Sequence, residues 1–265
     1  MTKIHWIFHS RVQRQSIFQR GVTINQNQET VVLMWIVGHR GARAIAPENT
    51  LKAISAGMVC ADYVEVDVRL SRDGIPVIIH DARLDRTTSG TGQVNDLSLK
   101  ELKELDAGNG EKIPTLEEVI TVVIQGNRGI IIEIKEPGSE EIICSVLGNF
   151  IVANVMAVSF HSGSLSIMKT CLPGLKTGII VPNNQWNHHV EESGFSFDCI
   201  LPRLDILTPD LVRHAHDSGN RVLPWTLNTW GELKMALIMG VDGFFTDDPC
   251  NALYFMQTNG FLISK

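Results

Sequence analysis

Tyr63-Val64-Glu65-Val66-Asp67-Val68, and the run that returns after it, Ile75-Pro76-Val77-Ile78-Ile79-His80-Asp81, decide how the rest of the chain reads. Both runs are apolar and rich in β-branched residues. Strand side chains alternate with a period of two, so Glu65 and Asp67 leave the first run on one face. Two like charges about 4 Å apart repel by about 4 kcal/mol at an effective dielectric of 20. In a mostly buried place such a pair needs a cation, a shared proton or strong donors, and a metal ion is the simplest of these. The link Ser71-Arg72-Asp73-Gly74 is too short for a parallel crossover, and its Asp-Gly is a hairpin turn signal. His80 is therefore expected to come back antiparallel, towards the carboxylates.

Outward from this hairpin the chain alternates β-branched runs with helical periods. A first strand is expected at 31–37, and a helix opening at Pro47-Glu48-Asn49-Thr50, with Pro in its first turn and acid near the positive end of its dipole. An irregular insertion with a short helical piece around 99–105 fills about 82–114, long enough to wall a site. Thr115-Leu116-Glu117-Glu118 reads as a capping box opening the next helix. Gly129-Ile130-Ile131-Ile132-Glu133-Ile134-Lys135 repeats the opening pattern, with Glu133 and Lys135 on one face. Further strands are expected at 155–160, 176–181, 199–203, 221–227 and 240–246, with the clearest helices at 208–218 and 229–239. With the His80 run set aside as a hairpin, eight parallel strands remain. That predicts an α/β protein, a (β/α)8 TIM barrel with a small insertion after strand two and its hairpin, as one domain over 31–265.

Active sites of such barrels lie at the C-terminal ends of the strands. His39-Arg40 after strand one, Glu65 and Asp67 late in strand two, and Glu133 and Lys135 late in strand three all fall there. A single charged residue in such a place is as readily a buried ion-pair partner, and Lys135 could serve Glu133 that way. Several at the same end of neighbouring strands point to a site.

Composition bounds what that site serves. The 265 residues are 44% hydrophobic and 20% charged, an ordinary globular balance, and the net charge of −6 argues against a nucleic-acid or anionic-membrane partner. The five cysteines are scattered without a C-x-x-C pair and read as reduced, mostly buried thiols of a cytoplasmic protein. Residues 1–30 are basic, Gln-rich and without an apolar span or periodic face. They read as a loose extension, neither targeting peptide nor anchor, and Met34 is a second candidate start.

His39-Arg40-Gly41, Pro47-Glu48-Asn49-Thr50, Glu65-Val66-Asp67-Val68, Asp73-Gly74 followed by His80-Asp81, Leu84-Asp85-Arg86-Thr87-Thr88, Glu133-Ile134-Lys135, Trp225-Thr226-Leu227-Asn228 and Thr246-Asp247-Asp248-Pro249 stand in order. Over about 35–249 this series resembles the signature of the glycerophosphodiester phosphodiesterase family. The resemblance implies a barrel, one divalent cation, and hydrolysis of a small-molecule glycerophosphodiester to glycerol 3-phosphate and an alcohol. It places the metal ligands at Glu65, Asp67 and Glu133, and the catalytic histidines at His39 and His80. It also implies attack by the glycerol 2-hydroxyl, giving a cyclic phosphate that water opens.

The residue chemistry is compatible with those roles. Three carboxylates without cysteine form a hard oxygen site suited to Mg2+ or Ca2+. The two histidines can divide proton removal from proton donation, and Arg40 and Lys135 can neutralise the phosphodiester. Glu48 reads as a capping or orienting group, Trp225 as packing, and His161 and His188-His189 as peripheral. Two other classes compete: a barrel that binds a phosphodiester without cleaving it, expected to lack a ligand or histidine, and a phospholipase acting on membrane lipid, expected to carry an apolar rim or anchor.

Overall fold

The computed structural model describes residues 34–150, 154–183 and 196–259, together with the backbone of two short strands, β1 (Val22–Ile24) and β2 (Thr30–Val32). Most of the expected 1–30 extension, and His188-His189, lie outside the described residues.

The barrel strands in chain order are β3 (Trp35–Gly38), β4 (Tyr63–Leu70), β6 (Gly129–Ile134), β7 (Val155–Ser159), β8 (Lys176–Val181), β9 (Cys199–Pro202), β10 (Arg221–Val222) and β11 (Gly243–Thr246). Each pairs in parallel with its neighbour, and β11 lies beside β3. Between β10 and β11 the ring closes through single backbone bonds: Asp242 N–H to Val222 O (3.0 Å), Phe245 N–H to Pro224 O (2.9 Å) and Leu227 N–H to Phe245 O (2.8 Å). The wall is thin here because Pro224 has no N–H to give to a ladder, which ends the strand expected over 221–227 after two residues. The fold is thus the (β/α)8 barrel that the alternation predicts.

The alternation along each strand sorts its side chains. In β4, Val64, Val66 and Val68 face outward into the layer between strands and helices, while Tyr63 packs inside the barrel with Trp35, Ile131, Met156 and Leu201. Glu65 and Asp67 continue the Tyr63 face towards the C-terminal mouth. In β6, Ile131 is interior, so Glu133 follows it inward in register with Asp67.

Strand β5 (Pro76–Ile78) runs antiparallel to β4, with Ile78 opposite Val68, and the Asp-Gly turn has Gly74 at φ +76°. His80 follows directly. The insertion has an apolar cluster of its own, in which Leu84, Val94, Leu102 and Ile113 pack under Val77 and Ile79, with α2 (Leu99–Glu104) opened by a Ser98/Glu101 capping box.

The helices around the barrel are α1 (Leu51–Cys60), α3 (Leu116–Gln125), α4 (Glu140–Leu147), α5 (Ser162–Cys171), α6 (Pro209–Asp217), α7 (Trp230–Met239) and α8 (Pro249–Thr258). The Thr115/Glu118 capping box of α3 and Pro209 at the start of α6 are as expected. No helix among the described residues is long and apolar enough to cross a membrane.

Three expectations need correction. The first barrel strand begins at Trp35; residues 30–32 pair antiparallel with 22–24 instead, so the apolar run read as one strand serves two sheets. Helix α1 starts after the Thr50 cap, so Pro47 and Glu48 precede it as loop. The cysteines are not all reduced: Cys60, ending α1, and Cys250, in the first turn of α8, form a disulfide with Cα atoms 5.0 Å apart. Barrel closure sets α1 beside α8, and the sequence separation of 190 between the two cysteines hid this pairing. The argument from cysteine usage for a reducing compartment therefore lapses. By constraining the unfolded chain, the bridge is expected to stabilise the fold by about 2–5 kcal/mol. Cys60→Ser should lower the melting temperature by several degrees, and reductant should do the same to the wild type only. Equal melts with and without reductant would show that the bridge contributes nothing.

Candidate active site

The turn after β3 builds one side of the site. Arg40 (φ +52°) and Gly41 (φ +84°) both take left-handed backbone, and a Cβ on Gly41 would meet the Ala53 backbone at 2.5 Å, so position 41 admits only glycine. This sharp turn lets Arg40 N–H donate to Glu65 Oε2 (2.8 Å) and Gly41 N–H to Glu65 O (3.0 Å). Asn49, also left-handed at φ +61°, grips Asp67 twice: Nδ2 donates to Oδ2 (2.7 Å), and Oδ1 accepts the Asp67 N–H (3.2 Å).

Glu65, Asp67 and Glu133 each bring an oxygen within 4.8 Å of the others. Glu65 and Asp67 are 2% and 1% exposed. Burial raises the pKa of Glu65, and the charges of Asp67 and Glu133 push it further up. Burial, then Asp67, likewise lifts Glu133 to about 7 against the pull of Lys135. Asp67 goes the other way: burial opposes ionisation, but Lys135, Arg40, His80 and Asn49 bring it down to about 2. Without a cation the cluster therefore holds protons it would otherwise shed near neutrality. Glu65 Oε1 is buried with no hydrogen-bond partner among the described residues, an open acceptor in an all-oxygen set. These residues fit a hard divalent cation.

Arg40 and Lys135, expected on the phosphodiester, are drawn here onto carboxylates. Lys135 Nζ lies 2.5 Å from Glu133 Oε1 and 3.2 Å from Asp67 Oδ1. Arg40 pairs with Glu48 (2.7 Å) and, at 3.5 Å, with Asp67. Glu48 stands outside the carboxylate cluster and orients two arginines, since Arg86 of the insertion also holds it at 2.7 and 3.0 Å.

Each histidine leans on a carboxylate that sequence reasoning assigned no role. His39 Nδ1 lies 2.7 Å from Asp247 Oδ1, and Asp247 is itself fixed by Asn228 Nδ2 (2.8 Å) and Arg43 (2.8 Å). His80 Nδ1 lies 2.6 Å from Asp81 Oδ1, and Asp81 is held by Arg86. A carboxylate only accepts, so Nδ1 carries the proton in both rings and Nε2 is left to exchange one. Burial lowers the pKa of both histidines, and it outweighs Asp247 at His39 and Asp67 and Asp81 at His80. A charged residue at the end of the last strand, Asp247, and one beside His80 were visible as motifs, but only the fold pairs them with the rings. Trp225 donates Nε1–H to Leu201 O (2.9 Å) and packs against the barrel interior, as expected of a packing residue. His161 is exposed at the N-cap position of α5, with no capping bond from its side chain.

A catalytic (β/α)8 barrel with an acidic cluster and two histidine–aspartate pairs at its mouth is the class that this geometry defines. Residues 39–251 match the Glycerophosphoryl diester phosphodiesterase family, and the chain belongs to it. It is similar to a glycerophosphodiester phosphodiesterase of Caldanaerobacter subterraneus subsp. tengcongensis, 34% identical over 242 residues that cover 85% of this chain and 98% of the relative. The glycerophosphodiester phosphodiesterase of Bacillus altitudinis is 31% identical over 82% of this chain and 96% of its own. Among solved structures, an Oleispira antarctica phosphodiesterase in complex with the product sn-glycerol-3-phosphate superposes with a TM-score of 0.78. It is 31% identical, with 85% of this chain and 97% of that one covered. The chain is accordingly an enzyme, a phosphoric diester hydrolase.

Proposed function

We propose that the enzyme is a metal-dependent glycerophosphodiester phosphodiesterase that releases glycerol 3-phosphate and an alcohol, with His39 and His80 as its proton-transfer groups. The observation that carries this reading is the convergence of Glu65, Asp67 and Glu133 with His39 and His80 at one mouth. Glu65, Asp67 and Glu133 would hold one Mg2+ or Ca2+, which when bound polarises a phosphoryl oxygen and offsets the charge that builds there. Arg40 and Lys135, at the rim of the cluster, would pair with the phosphodiester.

One histidine takes the proton of the glycerol 2-hydroxyl at Nε2 as its oxygen bonds to phosphorus. The other gives a proton to the departing alcohol oxygen as the P–O bond breaks. Water, with the roles reversed, opens the cyclic phosphate to glycerol 3-phosphate. Asp247 and Asp81 keep each ring in the tautomer this exchange needs. Neither a carboxylate nor a histidine of the set is missing, which favours this reading over a barrel that binds without cleaving.

The test is release of glycerol 3-phosphate from glycerophosphocholine, glycerophosphoethanolamine, glycerophosphoglycerol and glycerophosphoinositol, with and without chelator. Turnover that chelator abolishes and Mg2+ or Ca2+ restores is expected. Full turnover in excess chelator sinks the metal dependence, and no turnover of any diester sinks the function.

A further inference from the structure

The loops after β6 and β7 border an open cavity of about 760 Å³. It begins two residues past Lys135, at Pro137, and on its other side at Phe160, the residue after β7. Phe160 reaches over the mouth: its ring meets Trp225, at the end of the β10 segment, edge-on at 6.2 Å, although β8 and β9 stand between those strands in the ring. The cavity thus lies at the same end of the barrel as the carboxylate cluster, with Phe160 between the two, although no residue of the cluster lines it.

Its lining has a distinct chemistry. Ile142, Phe160 and Ile167 show 37%, 40% and 43% of their surface, so three large apolar side chains stand open around one cavity. Glu140 and Glu141 also line it, with His161 as the one basic side chain and no lysine or arginine. Glu140 is 3% exposed; its Oε2 accepts Gly138 N–H at 2.7 Å, while Oε1 and the nearby Ser164 Oγ are buried without a formed hydrogen bond. Burial pushes the Glu140 carboxyl up, but the Ser164 hydroxyl beside it, the Glu140 and Gly138 backbone N–H groups and the nearby His161 together hold it below its usual range, so it stays ionised. The N-termini of α4 and α5 reach this cavity with partial positive charge, about half a unit each. Two full carboxylate charges exceed that.

Two other cavities at this end differ. One is lined by Arg86 and Glu48, the other by Arg203, whose guanidinium is locked onto Asp205 by two bonds of 2.6 Å. Of the three, only the cavity between the β6 and β7 loops combines acidic side chains, an open aromatic ring and apolar walls without a fixed cation.

We propose that this cavity receives the alcohol end of the substrate and selects a cationic amino alcohol, of choline or ethanolamine chemistry, over an uncharged polyol. The inference rests on the phosphodiesterase reading above. Phe160 offers its ring face to the ammonium group, Ile142 and Ile167 cover the methyl and methylene groups, buried Glu140 supplies charge that solvent screens poorly, and exposed Glu141 adds charge at the rim. The substrate is then matched at both poles: its phosphate lies by Arg40 and Lys135, and its ammonium by the acidic cavity.

The test compares kcat/KM for the four diesters with the full-length enzyme in Mg2+ or Ca2+. The wild type should favour glycerophosphocholine and glycerophosphoethanolamine over glycerophosphoglycerol and glycerophosphoinositol by about tenfold, the scale of one desolvated cation–π contact. Phe160→Leu and Glu141→Gln, both at the cavity surface, should each reduce that ratio by about fivefold or more. Equal kcat/KM across the panel in the wild type, or an unchanged ratio in both variants, overturns the inference and leaves the phosphodiesterase reading intact. Turnover of none of the four removes both.

Discussion

Glu65→Gln is expected to lower turnover in Mg2+ or Ca2+ by on the order of 10³-fold, yet in chelator to melt at or above the wild-type temperature. The first effect follows from the loss of a buried carboxylate ligand, because the charge stabilisation that a metal supplies is worth several kcal/mol. The second follows from the cluster's own repulsion. Glu65 and Glu133 have folded pKa values above their unfolded ones. Groups raised in this way stabilise the fold fully below about pH 4.5 and lose that contribution as pH climbs through the folded value, which for Glu133 is about 7. At pH 7.5 the cation-free wild type therefore carries strain that glutamine relieves. The amide can keep the acceptor for Arg40 N–H while placing a donor where Oε1 now has no partner. Saturating cation should raise the wild-type melting temperature, by the equivalent of about 2.7 kcal/mol at 100 times Kd, and leave the variant almost unmoved. Thermal melts of both proteins in chelator and in cation decide the matter. A variant destabilised equally in both would mark Glu65 as structural.

His39→Gln and His80→Gln are each expected to reduce turnover by about 10²-fold or more with little change in melting temperature. The small stability cost has a structural reason. Asp247 keeps Arg43 and Asn228 when His39 is lost, and Asp81 keeps Arg86 when His80 is lost, so neither carboxylate is orphaned. The two rings serve one proton cycle, so the double variant should lose much less than the product of the single losses. Because burial lowers both pKa values, the acidic limb of the wild-type kcat/KM profile should fall with a midpoint below 6.5. Near-normal turnover in either single variant would remove that histidine from the chemistry, and strictly multiplicative losses would argue against a shared cycle.

What could be read from the sequence was whatever depends on local period. The placement of Glu65 and Asp67 on one face, the hairpin that returns His80, and the Glu133/Lys135 repeat follow from strand alternation and an Asp-Gly turn, and the barrel follows from counting such units. What could not be read depends on which units the closed ring makes neighbours. Asp247 is 208 residues from His39, and Asn49 is 18 from Asp67 across helix α1, in a left-handed backbone conformation that no pattern announced. Lys135 and Arg40 were legible as basic residues near the site, but their attachment to Glu133, Asp67 and Glu48 depends on distances that exist only after folding. The cysteine reading failed for the same reason. Spacing along the chain says nothing about two residues that meet only when the last helix packs beside the first.

That meeting gives the barrel a covalent counterpart to its circular wall. From Cys60 through the insertion and strands β6 to β11 to Cys250, the backbone and one sulfur bridge form a single closed loop that holds most of the site. A protease that cuts once inside this loop, for instance in the long segment between His80 and Pro114, produces no free fragment. The two new ends remain parts of one molecule, and only reduction together with unfolding can separate them. In such a protein the order of units along the ring matters more than where along it the chain happens to be opened.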